Sequence, residues 1–258
     1  MKKHPLLWFF LLTFGITWGL AVILFAFPDF VRRVTGEISA ANPLFILAVW
    51  GPNLAALIVT AAVSGGAGVL ALLQRVIRFR VGVAWYLLAL FLVPAGGVLF
   101  RLASGQPLVL TTMPGLSMAA TLGVLLATGT LGEEVGWRGF ALPRLLERFS
   151  PIVASLLLGA VWGIWHLPSF FVSGLPQAGL QIPVFLLGAL SLAVIATWIV
   201  IHARGSVFLS MLLHFSVNFT LTVLQVKLLH VALFQAAAAL VLLATYGPRL
   251  SRAEKLRI

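Results

Sequence analysis

The sequence contains no cysteine. Disulfides, thiol chemistry and cysteine-ligated zinc sites are therefore excluded. Acidic residues are nearly as scarce, with six in 258 residues against 17 lysines and arginines. Charged residues make up only 9% of the chain and hydrophobic ones 61%, with a mean hydropathy of +1.11. A soluble domain of this length carries roughly 25% charged residues, so this composition excludes a water-soluble globule. Disorder is excluded too, because disordered chains are poor in apolar residues. The formal net charge of +11 would point to nucleic acid in a soluble protein. Here the basic residues flank apolar runs and act as topology signals, so no nucleic-acid partner is expected. Two catalytic signatures are also missing: there is no His-Glu-x-x-His of the zincins and no Gly-x-Ser-x-Gly elbow.

What is present is a series of long apolar runs. A spanning helix needs about 20 mostly apolar residues. Eight segments meet or approach this, at 6–27, 44–63, 83–100, 115–135, 152–172, 182–201, 206–225 and 228–246. The expected fold is all-α, a polytopic membrane protein of about eight transmembrane helices, forming a single membrane domain over 1–258. The first run is too long for a signal-peptide core and lacks a small-x-small cleavage site, so it is expected to remain as a helix. With the N-terminus inside, thirteen basic residues fall on the cytoplasmic side and four outside. That split places both termini in the cytoplasm of a cell inner (plasma) membrane. The stretch 69–80 is expected to be a short amphipathic helix on the cytoplasmic surface. Ser64-Gly65-Gly66-Ala67-Gly68 is expected to be a turn.

Ionisable groups inside a membrane cost about 2.5–3.5 kcal/mol each on insertion scales, so they mark function by default. Three places hold them. Glu133 and Glu134 are followed by Arg138. On a helix Glu134 and Arg138 share a face four residues apart, so Arg138 satisfies Glu134. Glu133 points about 100° away and has no local partner. An unpartnered carboxyl in apolar surroundings suits general acid–base chemistry near neutrality. His166 closes the fifth segment and lies at nearly the same distance from the Ser150-Pro151 hairpin as Glu133, so a Glu–His pair is expected inside the bundle. His214 and Asn218 stack four apart on the seventh segment, as a pair of polar donors or as interhelical polar glue. Asn53, after Gly51-Pro52, is expected to fill a helix kink.

These three elements, in this order, resemble the CAAX protease and bacteriocin-processing family of intramembrane proteases, which includes the Ras-converting CAAX endopeptidases and the bacterial Abi proteins. Glu133, Glu134 and Arg138, followed by Gly139, fit its Glu-Glu-x-x-x-Arg motif. His166 fits Phe-x-x-x-His, with Trp162 in place of the usual phenylalanine, and His214 with Asn218 fits His-x-x-x-Asn/Asp. The likeness is strongest over 115–222, the expected catalytic core. It implies an eight-helix endopeptidase open to the cytoplasm, with a peptide or protein substrate at the bilayer. It also implies roles: Glu133 as the base that activates water, assisted by His166; His214 and Asn218 as oxyanion donors; Glu134 and Arg138 as orienting residues. The favoured mechanism needs no cofactor. The alternative places zinc on Glu133, His166 and His214, with water in the fourth position. The chain looks bacterial, and bacteria generally offer no prenylated CAAX proteins, so pheromones, bacteriocin leaders or membrane-anchored regulators are candidate substrates. Two other functions compete: a non-catalytic bacteriocin-immunity or scaffold protein, and a small proton-coupled transporter using Glu133 and His166 as a relay.

Overall fold

The computed structural model describes residues 1–107 and 114–251, and among them the fold is all-helical. Arg252, Lys255 and Arg257 of the basic C-terminal cluster lie outside the described residues. Ten helices follow in order: α1 Pro5–Ala26, α2 Pro28–Thr35, α3 Pro43–Val49, α4 Gly51–Val76, α5 Val83–Ala103, α6 Gly115–Leu146, α7 Pro151–Trp165, α8 Ile182–His202, α9 Val207–Thr222 and α10 Leu228–Tyr246. Six of them, α1, α4, α5, α6, α8 and α10, are long and apolar enough to cross a membrane; α7 and α9 are shorter apolar helices.

The helix starts follow local chemistry. Proline sits in the first turn of α1, α2, α3, α4, α7 and α8, where its missing N–H costs nothing. Asn42 caps α3 by accepting from Leu44 N, and its amide donates to the carbonyls of Gly36 and Glu37. That one buried side chain ties down the 35–42 loop. Ser206 caps α9. α8 is the centre of the bundle: most residues from Gly188 to Val200 are buried, and it packs against α7 and α10.

Three segments depart from the sequence expectations. Residues 69–76 are not a separate surface helix, because α4 runs on to Val76. Only Gly65 leaves helical geometry (φ 64°, ψ −164°), a conformation open to glycine without steric cost. The glycine run is thus a kink rather than a turn, since the helical hydrogen bonds resume on both sides of one aberrant residue. The fourth apolar run does not stop at 135. It continues to Leu146 through two wide π-helical turns, at Leu126–Thr130 and Val135–Ala141. The fifth ends early, at Trp165, where a short 3₁₀ turn over Leu167–Phe170 carries Pro168.

The bundle has two distinct ends. At one, Arg78 donates to the carbonyl of Arg204, Ser206 donates to Arg78 O at 2.9 Å, and the first residues of α1 lie beside Pro143–Arg148. The 247–249 turn packs on α7 at this end as well. At the other end, Arg101 donates to Gln225 O at 2.5 Å and Ser104 pairs with His230 at 3.0 Å. There the Gly174 backbone abuts Ile38, joining the 36–42 and 166–181 loops. Both described chain ends therefore lie at one end of the bundle, and the loops 36–42, 166–181 and 223–227 lie at the other.

Candidate active site

The two π turns of α6 bracket Glu133 and Glu134. A π turn leaves backbone groups without their usual helical partners, and a membrane interior offers no water to replace them. Side chains of the α3–α4 junction supply the replacements. Trp50 Nε1 donates to Ala127 O at 2.7 Å. Asn53 Nδ2 donates to Leu131 O at 2.5 Å, and its Oδ1 accepts from Gly136 N at 2.9 Å. Asn53 therefore does not fill a kink in its own helix; it clamps the backbone on both sides of the glutamate pair. Gly136 permits this approach, because a methyl group there would sit 2.5 Å from Pro52 O.

Glu134 is 1% exposed and meets Arg138 Nη1 at 2.9 Å, the i,i+4 pairing expected from the spacing. The same carboxylate oxygen, Oε1, meets His214 Nδ1 at 2.8 Å. A carboxylate accepts, so Nδ1 of His214 carries a proton and Nε2 is left facing elsewhere. Nε2 of His214 and Nδ2 of Asn218 converge on Gly129: a methyl group on that glycine would lie 2.8 Å from the first and 2.7 Å from the second. Both side chains line one cavity, together with Glu133 and His166.

Glu133 is 3% exposed, and no direct hydrogen bond joins it to His166 among the described residues. Trp162 stands between them. Its indole Nε1 donates to Glu133 Oε2 at 2.6 Å, while its backbone carbonyl accepts from His166 Nδ1 at 2.9 Å. A carbonyl only accepts, so neutral His166 carries its proton on Nδ1 and its lone pair on Nε2. The Trp162 ring also meets the His166 and His214 rings edge to face, at 5.1 and 5.5 Å between centroids, and Arg138 lies 4.9 Å over its face. One indole thus contacts every motif residue except Glu134 and Asn218. The expected Glu–His pair shares a cavity, but the link runs through Trp162.

This arrangement bears on the zinc alternative. Among the described residues no three His, Asp or Glu side chains are grouped so as to hold a metal ion. The indole N–H occupies only Oε2 of Glu133, and the Nδ1 contacts of His166 and His214 leave both Nε2 atoms facing the cavity, so the three side chains share a cavity without being grouped as a ligand set.

The cavity measures about 890 Å³. It runs from Glu133 and His214 past Thr17 and Leu24 of α1 and Phe185 of α8 to Ala41, Leu180 and Lys227. Trp50, Asn53 and Gly129 were not singled out as site residues from the sequence, although two of them are polar groups at the start of an apolar helix, which is the signal that could have found them.

Residues 114–220 match the family model of the Rce1-like type II CAAX prenyl endopeptidases. A curated relative, CAAX prenyl protease 2 of Methanococcus maripaludis, is 34% identical over an alignment of 132 residues that covers 46% of this chain and 48% of the relative. The chain thus covers about half the length of that relative. Glu133, Glu134, Arg138, His166, His214 and Asn218 all fall within the matched stretch, so the segment that builds the site is the one in which this chain is similar to the Rce1-like CAAX prenyl endopeptidases.

Proposed function

We propose that this protein is an intramembrane endopeptidase that hydrolyses peptide bonds of membrane-associated substrates, as the name of its curated relative implies for CAAX prenyl proteins. The observation that carries this reading is the convergence of Glu133, His166, His214 Nε2 and Asn218 Nδ2 on one cavity inside an apolar bundle. Glu133 takes a proton from water, and the oxygen attacks the scissile carbonyl. His166 Nε2 accepts a hydrogen bond from the same water and holds it in line. The carbonyl oxygen becomes an oxyanion beside Asn218 Nδ2 and His214 Nε2. Asn218 donates as it stands; His214 donates from Nε2 only when its ring is doubly protonated, with Glu134 as counter-ion. Such donors count for more in a water-poor site, because they are already oriented when charge develops. The proton held by Glu133 then passes to the leaving amine, and the C–N bond breaks.

The test compares N-terminal proteomes of membranes carrying the wild type and Glu133→Ala. New N-termini that depend on Glu133 and on His166, in protein that stays folded in detergent, are the expected result. Identical termini in wild type, Glu133→Ala and His166→Ala would remove the reading and leave a non-catalytic or transport role. Replacing Asn218 by alanine should slow cleavage by about 10²–10³-fold, the usual loss for one oxyanion donor.

A further inference from the structure

The cavity mouth and most of the basic residues lie at opposite ends of the molecule. The cavity mouth is formed at the 36–42, 166–181 and 223–227 end, by residues such as Ala41, Leu180, Gln225 and Lys227. No residue of the 76–82, 147–150 or 203–206 connections lines it. Among the described residues, nine lysines and arginines sit at the end that holds the termini, including Lys2, Lys3, Arg78, Arg80, Arg148 and Arg204. Four sit at the mouth end: Arg32, Arg33, Arg101 and Lys227. Arg32 there is neutralised by Asp29 and Glu37, and Arg101 is buried against backbone carbonyls. Arg138 belongs to neither end, being 2% exposed against Glu134. Basic residues mark the cytoplasmic face of a membrane protein. Cytoplasmic termini and a cytoplasmic mouth, both expected from the sequence, therefore cannot hold together in this fold.

We propose that the charge bias sets the orientation, so that the cavity opens on the extracytoplasmic face and its substrates are segments presented there. The proposal rests on the peptidase reading only for what enters the cavity. The lining limits that class. Among the described residues, Glu133, deep in the cavity, is its only carboxylate, Lys227 at the mouth is its only lysine or arginine, and most of the other lining side chains are apolar. An apolar stretch of an exported or membrane-anchored peptide, with a neutral or anionic flank at the bilayer surface, fits this surface.

The natural absence of cysteine makes the test direct. Ala41→Cys and Ser173→Cys place single exposed thiols on the mouth-side loops, and Ser150→Cys places one at the opposite end, with no change in charge. Full-length protein in right-side-out and inside-out vesicles is treated with a membrane-impermeant maleimide, and detergent-solubilised protein shows that each thiol reacts. Labelling of Ala41→Cys and Ser173→Cys in right-side-out vesicles, with Ser150→Cys labelled only in inside-out ones, is expected. The reverse pattern overturns the proposal, and so does labelling of every thiol in both vesicle types or of none in right-side-out ones. This readout needs no catalysis, so it stands or falls separately from the peptidase reading. In a second arm, the impermeant reagent applied from outside should stop cleavage by Ala41→Cys while the wild type continues. Continued cleavage after complete labelling would show that substrates arrive by another route.

Discussion

An indole N–H aimed at a buried carboxylate does two things at once: it fixes the carboxylate's direction, and it supplies a hydrogen bond where water is scarce. Trp162 does this for Glu133 and, through its carbonyl, fixes the ring of His166. A hydrogen bond to a charged group contributes about 1.5–3 kcal/mol. If that is felt in the transition state, Trp162→Phe should lower kcat by about 10–100-fold with KM little changed. Steady-state cleavage measures this, and incorporating benzothienylalanine, which keeps the bicyclic shape without the N–H, should reproduce the loss. Full activity in the benzothienyl variant would mean that only the ring's bulk matters. The two glutamates should also separate by stability. Glu134 is shared by Arg138 and His214 in a dry pocket, and removing one partner of a buried ion pair costs about 3–5 kcal/mol. Glu134→Ala should therefore unfold in detergent at a clearly lower temperature than Glu133→Ala. Equal melting temperatures would contradict that assignment. The Glu134–Arg138 pairing was legible from i,i+4 spacing. The role of Trp162 was not, because an aromatic in an aromatic position gives no hint of where its N–H points.

The elements that matter most are the two wide turns of α6. They hold Glu133 and Glu134 at an angle that an ordinary helix would not, and Trp50 and Asn53 of the α3–α4 junction satisfy the backbone they disturb. Asn53→Leu keeps the volume roughly but removes two buried hydrogen bonds, leaving Leu131 O and Gly136 N without these partners. It should destabilise the protein by a few kcal/mol, since each buried polar group left unpaired costs about 1–3 kcal/mol, and it should reduce cleavage further than stability alone explains. Thermal unfolding and kcat measured on the same preparation test both parts. Gly129→Ala tests the opposite limit. The added methyl enters the space between His214 Nε2 and Asn218 Nδ2, so cleavage should fall steeply while the fold persists. Helix positions were legible because apolar run length dominates them. The π turns were not, because hydropathy is insensitive to one residue more or less per turn.

For the whole molecule, composition alone was enough to read a helical membrane protein, and the apolar runs map onto α1 and α3–α10. The side on which the cavity opens was not readable. Charge bias orients a chain, but a sequence does not say toward which end the space between its helices widens. That depends on tilt and on where bulky side chains meet, as where Trp137 packs against Phe9 and Trp165 at ring separations of 5.5 and 5.8 Å. The cavity's length also makes a prediction. Ala21 of α1 lines it away from the glutamate. Ala21→Trp should raise KM for long substrates and leave short peptides largely unaffected, as kinetics over a peptide length series would show. A uniform loss across all lengths would mean that Ala21 lies outside the substrate path.

A wide turn is, in genetic terms, a helix carrying one surplus codon. Deleting a single residue from Leu126–Thr130 would let the helix relax to ordinary spacing. The same deletion in the ordinary helical turns just before, within Gly115–Leu125, has no surplus to draw on and would turn everything before it by about 100° relative to Glu133. The lesion would be mild by every measure of composition or hydropathy, and the chain would still insert and still look whole. The reading frame of this helix, rather than the identity of any one residue in it, is therefore where a small lesion would be hardest to see and most damaging.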